Sequence, residues 1–331
     1  MPMESVEVLY AADRLRRVAV RTPLLTSTVI DDLAGRRVMV KAENLQCTGS
    51  FKFRGAYNAL ASMDQADRDA GVIGASSGNH AQALALAARL HGTQATVVIP
   101  DDAPAVKRQA VEALGARIIT YDRRQVRRDA LVRETAHREQ LTIVSSSDHR
   151  DIIAGAGTAA WEMLEEVRDL AAILIPVGGG GLAAGTALAA RHLNPRIQVI
   201  GVEPATANDT HRSLVAGRRL PISPPDTIAD GLAHTVPAAL PFEIMQKLLS
   251  DVVTVPERAI ADAMARLWRH YRTTAEPSGA VALAGLLRIK HRLPNGPVGV
   301  ILSGGNVDWG RFRGLVDRAM KGRNANATVL H

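Results

Sequence analysis

Thr48-Gly49-Ser50-Phe51-Lys52-Phe53-Arg54-Gly55-Ala56 lies between a strand-like run, 37–43, and a helix-like run, 54–63. A lysine between two phenylalanines has apolar neighbours, which disfavour the ammonium and leave a larger fraction of neutral amine. A neutral amine attacks aldehydes, so Lys52 is a candidate for Schiff-base chemistry. The competing reading is a lysine that snorkels out of a half-buried strand end. Three other stretches weigh against it.

The strand and helix on either side of Lys52 belong to a longer rhythm. Strand-like runs recur at 38–42, 72–75, 95–99, 117–121, 141–144, 172–177, 198–202, 252–255 and 298–302, with helix-like runs between most of them. Residues 5–20 also have helical spacing, and Thr22-Pro23-Leu24 ends that run. Such alternation predicts parallel sheets covered by helices on both faces, an α/β class. At 331 residues with 47% apolar content, the chain is long enough for two domains. Residues 1–65 plus 151–331 are read as the larger one and 66–150 as a smaller, mobile one. The single long irregular stretch expected is 204–235, and loops of that length are often functional.

Composition excludes several classes of function. The formal net charge is +7 and the pI near 10.0, which raises the question of nucleic acid. The basic residues are dispersed, however, and aromatics are only 3%, too few for base-stacking platforms. The densest basic run, 123–133, reads as a solvated helix face. One cysteine, Cys47, excludes an internal disulfide and a cysteine-based metal cluster. Neither a membrane-length apolar run nor a signal-peptide core appears, so a cytoplasmic enzyme with no nucleic-acid or membrane partner is expected. A basic nucleotide-binding protein is the remote alternative.

The first supporting stretch is Ser76-Ser77-Gly78-Asn79-His80-Ala81-Gln82, directly after a strand and opening a helix. Backbone N–H groups at a helix N-terminus favour an anion such as a substrate carboxylate. A plain helix cap fits the same residues. The next is Gly178-Gly179-Gly180-Gly181, again between strand and helix. It reads as a phosphate cradle without the spacing of a dinucleotide fingerprint or a P-loop, so a small phosphorylated cofactor is expected. The last is Ser303-Gly304-Gly305-Asn306, at the end of the final strand, where parallel sheets gather ligands.

Taken together, these stretches resemble the fold-type II pyridoxal 5'-phosphate (PLP) enzymes, with the tryptophan synthase β-like fold. Within that group the chain looks like the threonine/serine dehydratase and serine racemase branch. The likeness runs from Arg21-Thr22-Pro23-Leu24 to Asn306, and no appended regulatory domain is expected. It implies that Lys52 holds PLP covalently and later takes the substrate Cα proton. Phe51 would pack beside the ring and Asn79 bond the ring hydroxyl. Gly178, Gly179, Gly180 and Gly181 would bind the phosphate, and Ser303 the pyridine nitrogen. Backbone N–H groups of Ser76, Gly78, Asn79 and His80 would take the substrate carboxylate.

Ser77 bears on the reaction. In this branch a serine there permits acid/base chemistry on the face opposite Lys52, as racemisation requires, without enforcing it. The expected reaction is β-elimination from a β-hydroxy amino acid such as L-threonine or L-serine to a 2-oxo acid and ammonia. Serine racemisation and hydroxyaspartate dehydration are the alternatives. The likeness also implies a divalent cation, Mg²⁺ or Ca²⁺, held by Glu203, Asp209 and the Ala207 carbonyl, all oxygen donors. A homodimer is expected. Arg123-Arg124, Arg127-Arg128, Arg150-Asp151 and Ala156 depart from the branch's usual pattern and leave substrate identity and nucleotide regulation open.

Overall fold

In the computed structural model, which describes residues 3–76, 78–103 and 105–327, two sheets organise the chain. Their strands are β1 (Leu24–Leu25), β2 (Val38–Ala42), β3 (Val72–Ala75), β4 (Ala95–Pro100), β5 (Arg117–Tyr121), β6 (Thr142–Ile143), β7 (Ala172–Pro176), β8 (Gln198–Pro204), β9 (Asp251–Val255) and β10 (Val298–Leu302). The first sheet has the order β1-β2-β10-β7-β8-β9 and the second β5-β4-β3-β6. Every pairing is parallel except that of the short β1 with β2. The central strands β2, β4 and β7 are buried throughout. That is why they read as mostly apolar runs rather than alternating ones, broken only by the buried Lys41 in β2 and Thr96 in β4.

Helices cover both faces of the six-stranded sheet. Pro277–Ile289, Glu257–Tyr271 and Trp309–Ala327 pack on one face, and Val6–Leu15, Arg150–Glu166 and Gly181–Leu193 on the other. The helix Lys52–Ser62 packs Phe53, Ala56 and Leu60 into the layer of the four-stranded sheet, with Val72, Leu84 and Val144. It is therefore a bridge between the two layers. No helix among the described residues is long and apolar enough to cross a membrane.

The structure corrects several local expectations. The stretch 204–235 is not wholly irregular: it contains the helix Asp209–Val215 and a 3-10 turn, Asp230–Leu232. The basic run 123–133 is only partly helical. Asp122 accepts from Arg124 N–H at 2.8 Å and Val126 N–H at 2.9 Å, which closes a turn, and the helix begins at Arg128. The first helix ends at Leu15, five residues before the expected 20.

Candidate active site

The stretch around Lys52 is shaped by its pairing with the end of β10. After β2 the chain makes two 3-10 turns. Phe51 N–H then donates to Ser303 O at 3.0 Å, and Gly305 N–H donates to Gly49 O at 3.0 Å. These bonds seat the lysine segment against the Ser303-Gly304-Gly305 turn. Lys52 is the first residue of its helix, not a strand end. The positive end of the helix adds to desolvation in disfavouring its charge. Burial lowers the Lys52 pKa to about 8, against the opposing pull of Glu276. Nζ donates to Ser146 O at 2.7 Å and lies 5.0 Å from the centre of the Phe51 ring.

A cavity of about 920 Å³ opens at the carboxyl ends of the strands, lined by Lys52, Asn79, Gly178, Ser303 and Glu276 among others. The glycine turn forms one wall. Gly180 has φ +90°, and a Cβ there would fall 2.6 Å from Met245 Cε. A Cβ at Gly179 would run into Ser147 Oγ. Only a chain without side chains fits this corner. Among the described residues none of the N–H groups of Gly178, Gly179, Gly180 and Gly181 finds a protein acceptor. They lie at the N-terminus of Gly181–Leu193, which suits a phosphate.

At the end of β3, Ser76 N–H donates to Val98 O at 3.2 Å. It is engaged in the sheet ladder, so Ser76 offers a ligand its hydroxyl rather than its N–H. That hydroxyl already accepts from Gly78 N–H at 3.1 Å. Asn79 and His80 open the helix Asn79–His91, so their N–H groups have no partner within it. His80 Nε2–H donates to Val144 O at 3.2 Å, because a carbonyl only accepts. Burial, then the nearby Lys52, lowers the His80 pKa to about 3, so the ring is neutral. Ser77 lies outside the described residues.

The sequence did not point to Glu276 or His234. Glu276, 7% exposed, accepts from Asn79 Nδ2 at 2.7 Å and sits just before the helix Pro277–Ile289. His234 lines the cavity beside Gly178 and Gly179. Burial, then Lys52 and Arg128, lowers its pKa to about 4. The signal for His234 was its place in the 204–235 stretch; no local pattern marks Glu276.

The cation loop lies away from the cavity. Glu203 is fully buried and accepts from Thr210 N–H at 3.0 Å and His211 N–H at 2.9 Å. Burial raises its pKa to about 8 and that of Asp209 to about 7. Both Asp209 carboxylate oxygens are buried without a protein partner. Among the described residues no three His, Cys, Asp or Glu side chains gather as a metal cluster. The expected set has only two such side chains, and two orphaned buried oxygens fit a hard cation.

Comparison with known proteins agrees with this geometry. The family model described as pyridoxal-phosphate dependent enzyme matches residues 15–304. An L-threo-3-hydroxyaspartate ammonia-lyase of Pseudomonas sp is 43% identical over 310 residues, 94% of this chain and 97% of that protein. A serine racemase of Schizosaccharomyces pombe is 41% identical, over 92% of this chain and 95% of its own. The structure of the processed form of threonine deaminase isoform 2 from Solanum lycopersicum superposes with a TM-score of 0.89 at 32% identity, covering 96% of this chain and 95% of that one.

Proposed function

The chain belongs to the pyridoxal-phosphate dependent enzymes, in the branch of threonine/serine dehydratases and serine racemases, and from that premise we propose that it is an ammonia-lyase acting on a β-hydroxy amino acid, preferably a dicarboxylic one of the 3-hydroxyaspartate class. The observation that carries this reading is the shared cavity. It brings the weakly basic Lys52 amine together with the glycine turn and the opening of Asn79–His91.

When bound, the cofactor supplies an electron-withdrawing ring that makes the Cα proton of an attached amino acid removable. Lys52 Nζ would hold the group, with Phe51 beside the ring and Ser303 Oγ at the pyridine nitrogen. The N–H groups of Gly178, Gly179, Gly180 and Gly181 would take the phosphate, and the Asn79 amide the ring oxygen. Asn79 and His80 N–H groups would hold the substrate α-carboxylate at the positive helix end, beside Ser76 and Gly78. Lys52 Nζ, released when the substrate amine takes its place on the group, would accept the Cα proton, and its lowered pKa raises the fraction of amine able to do so near neutral pH. Loss of the β-hydroxyl as water leaves an enamino acid, which water hydrolyses to the 2-oxo acid and ammonia.

The dicarboxylate preference draws on Arg128, which lines the cavity. Among the described residues Arg128 is held by Asp129 through its Nε alone, at 2.8 Å, whereas Arg311, also in the lining, is tied to Ile228 O at 2.8 Å and pairs with Asp230. Serine and threonine have no group for Arg128, whereas 3-hydroxyaspartate has a distal carboxylate, and the Pseudomonas relative is named for that substrate. Ammonia and 2-oxo acid release from L-threo-3-hydroxyaspartate, L-serine and L-threonine tests this. The dicarboxylate should lead in kcat/KM, and Arg128→Met should cut it by about tenfold while sparing serine. Serine in the lead would refute the preference; no ammonia from any of the three would refute the lyase.

Racemisation is a second reading, supported by the likeness to a serine racemase and by Ser77 in the sequence. Chiral analysis of serine with wild type and Ser77→Ala tests it; a wild type that makes no D-serine removes it. For Glu203, Asp209 and the Ala207 carbonyl we propose a structural Mg²⁺ or Ca²⁺. The segment 66–150 is proposed to close over the bound substrate.

A further inference from the structure

A chain of hydrogen bonds joins four separate segments beside the cavity. Asn306 Nδ2 donates to Thr48 O at 2.7 Å and to Asn79 Oδ1 at 2.8 Å. Asn79 Nδ2 in turn donates to Glu276 Oε1 at 2.7 Å. Thr48 precedes the Lys52 helix, Asn306 follows β10, Asn79 opens a helix of the four-stranded layer, and Glu276 precedes Pro277–Ile289. The chain therefore crosses from one sheet's layer to the other's.

Its direction is fixed at both ends. Thr48 O is a carbonyl and only accepts; an ionised Glu276 carboxylate also only accepts. Asn306 must turn its NH₂ toward Thr48, and that NH₂ also meets Asn79, so the Asn79 atom facing it has to be Oδ1. Asn79 Nδ2 is then the atom facing Glu276. Neither carboxamide can be flipped without setting like groups against each other. With Oδ1 accepting from Asn306 and one amide hydrogen given to Glu276, Asn79 keeps one N–H for a ligand in the cavity it lines.

The backbone at the head of the chain supports a functional origin. Thr48 has φ +59°, a left-handed conformation that a β-branched residue seldom adopts. Strain of this kind persists where surrounding bonds over-determine it, and it clusters at functional sites. Here it belongs to the residue whose carbonyl Asn306 holds.

We infer that Glu276 and Asn306 are positioning residues that orient the Asn79 carboxamide so that it meets the ring oxygen of the pyridoxal cofactor as a hydrogen-bond donor. The inference rests on the cofactor contact proposed above for Asn79. A donor at that oxygen favours its ionised form, so the relay selects the ionisation state of the bound cofactor as well as its place.

The test titrates pyridoxal phosphate into cofactor-free wild type, Asn79→Ala, Asn306→Asp, Asn306→Ala, Glu276→Ala and Glu276→Gln. It reads the Kd, the visible absorbance maximum and the melting temperature without cofactor. Asn306→Asp keeps the shape but replaces the donor with an acceptor, so it should turn the Asn79 amide, raise Kd about tenfold or more and move the band. Glu276→Gln still offers an acceptor oxygen and should stay within about threefold of wild type, while Glu276→Ala should not. If Asn306→Asp and Asn306→Ala lower the melting temperature but leave Kd and band unchanged, the residues only brace the fold and the inference is overturned. If Glu276→Gln is as damaging as Glu276→Ala, Glu276 acts by charge and not by orienting Asn79. An Asn79→Ala protein with wild-type Kd and band would instead remove the cofactor contact on which the inference stands.

Discussion

Lys52 and Arg54 stand two residues apart at the start of one helix, and both are cations withdrawn from water. Arg54 meets Glu43 through bonds of 2.7 and 2.8 Å and Glu162 through bonds of 2.7 and 2.9 Å. Lys41 joins the same group, donating to Glu162 and to Thr22 O at 2.7 and 2.6 Å. Among the described residues Lys52 has one carbonyl, Ser146 O, and one ring face. The contrast teaches that burial alone does not decide what a cation is for. Enough acceptors make it a permanent cross-brace, as the rigid guanidinium fork of Arg54 is suited to be. Too few leave an amine that gives up its proton readily and can react.

The sharpest way to break the contrast is to exchange the effects of the two residues. Lys52→Ala should reduce 2-oxo acid formation by at least ~10³-fold, since loss of acid–base catalysis alone accounts for ~10²–10⁴. It should leave the melting temperature of the cofactor-free protein unchanged or higher. A variant that turns over normally would mean that Lys52 is not the reacting amine. Arg54→Ala should do the opposite, leaving Glu43 and Glu162 without their main partner at a cost of about 3–5 kcal/mol in urea unfolding. An Arg54→Ala protein as stable as wild type would show the buried group to be dispensable.

Smaller effects sharpen the same comparison. Glu203 and Asp209 are its mirror image, buried acids of which Asp209 has no protein partner for either carboxylate oxygen. Mg²⁺ or Ca²⁺ at about 100 times its Kd should stabilise the protein by about 2.7 kcal/mol by mass action, and Asp209→Ala should abolish the shift. An equal shift in the variant would place the ion elsewhere. The smallest effect is one of pH. Below about 8 both folded and unfolded chains hold the Lys52 proton, and the cofactor-free fold bears the full penalty of a buried charge. Between about 8 and the ordinary 10.5 the folded amine has lost its proton while the unfolded one keeps it, so stability rises with pH. Cofactor-free wild type should therefore gain on Lys52→Met in melting temperature across that window. A constant difference would mean that the amine is not desolvated.

The strands and the glycine turn were legible because their causes are local. A run such as Ala172–Pro176, buried throughout, shows its burial in its own residues, and four glycines between strand and helix announce a close approach of backbone. Partners far along the chain were not legible. Nothing near Arg54 indicates Glu162, and nothing near Asn79 indicates Glu276 or Asn306. The sequence places the lysine segment between a strand-like run, 37–43, and a helix-like run from 54, yet two 3-10 turns fill the gap and the helix already begins at Lys52, where Ser50 pairs with Gly304. The helix Asp209–Val215 was missed because its first turn is capped by Glu203 from the preceding strand rather than by a neighbouring serine or asparagine.

The pairing of β2 with β10 also governs how the molecule is made. β2 leaves the ribosome long before β10, yet the two are neighbours in the sheet, register Val38 to Val298. The nascent chain must hold β2 and the Lys52 segment beyond it without their sheet partner until β10 has been synthesised. Contacts this distant in sequence form slowly, and exposed strand edges invite aggregation meanwhile. Cofactor capture then waits for β10: Ser303 and the turn that seats Phe51 do not exist until synthesis has passed that strand.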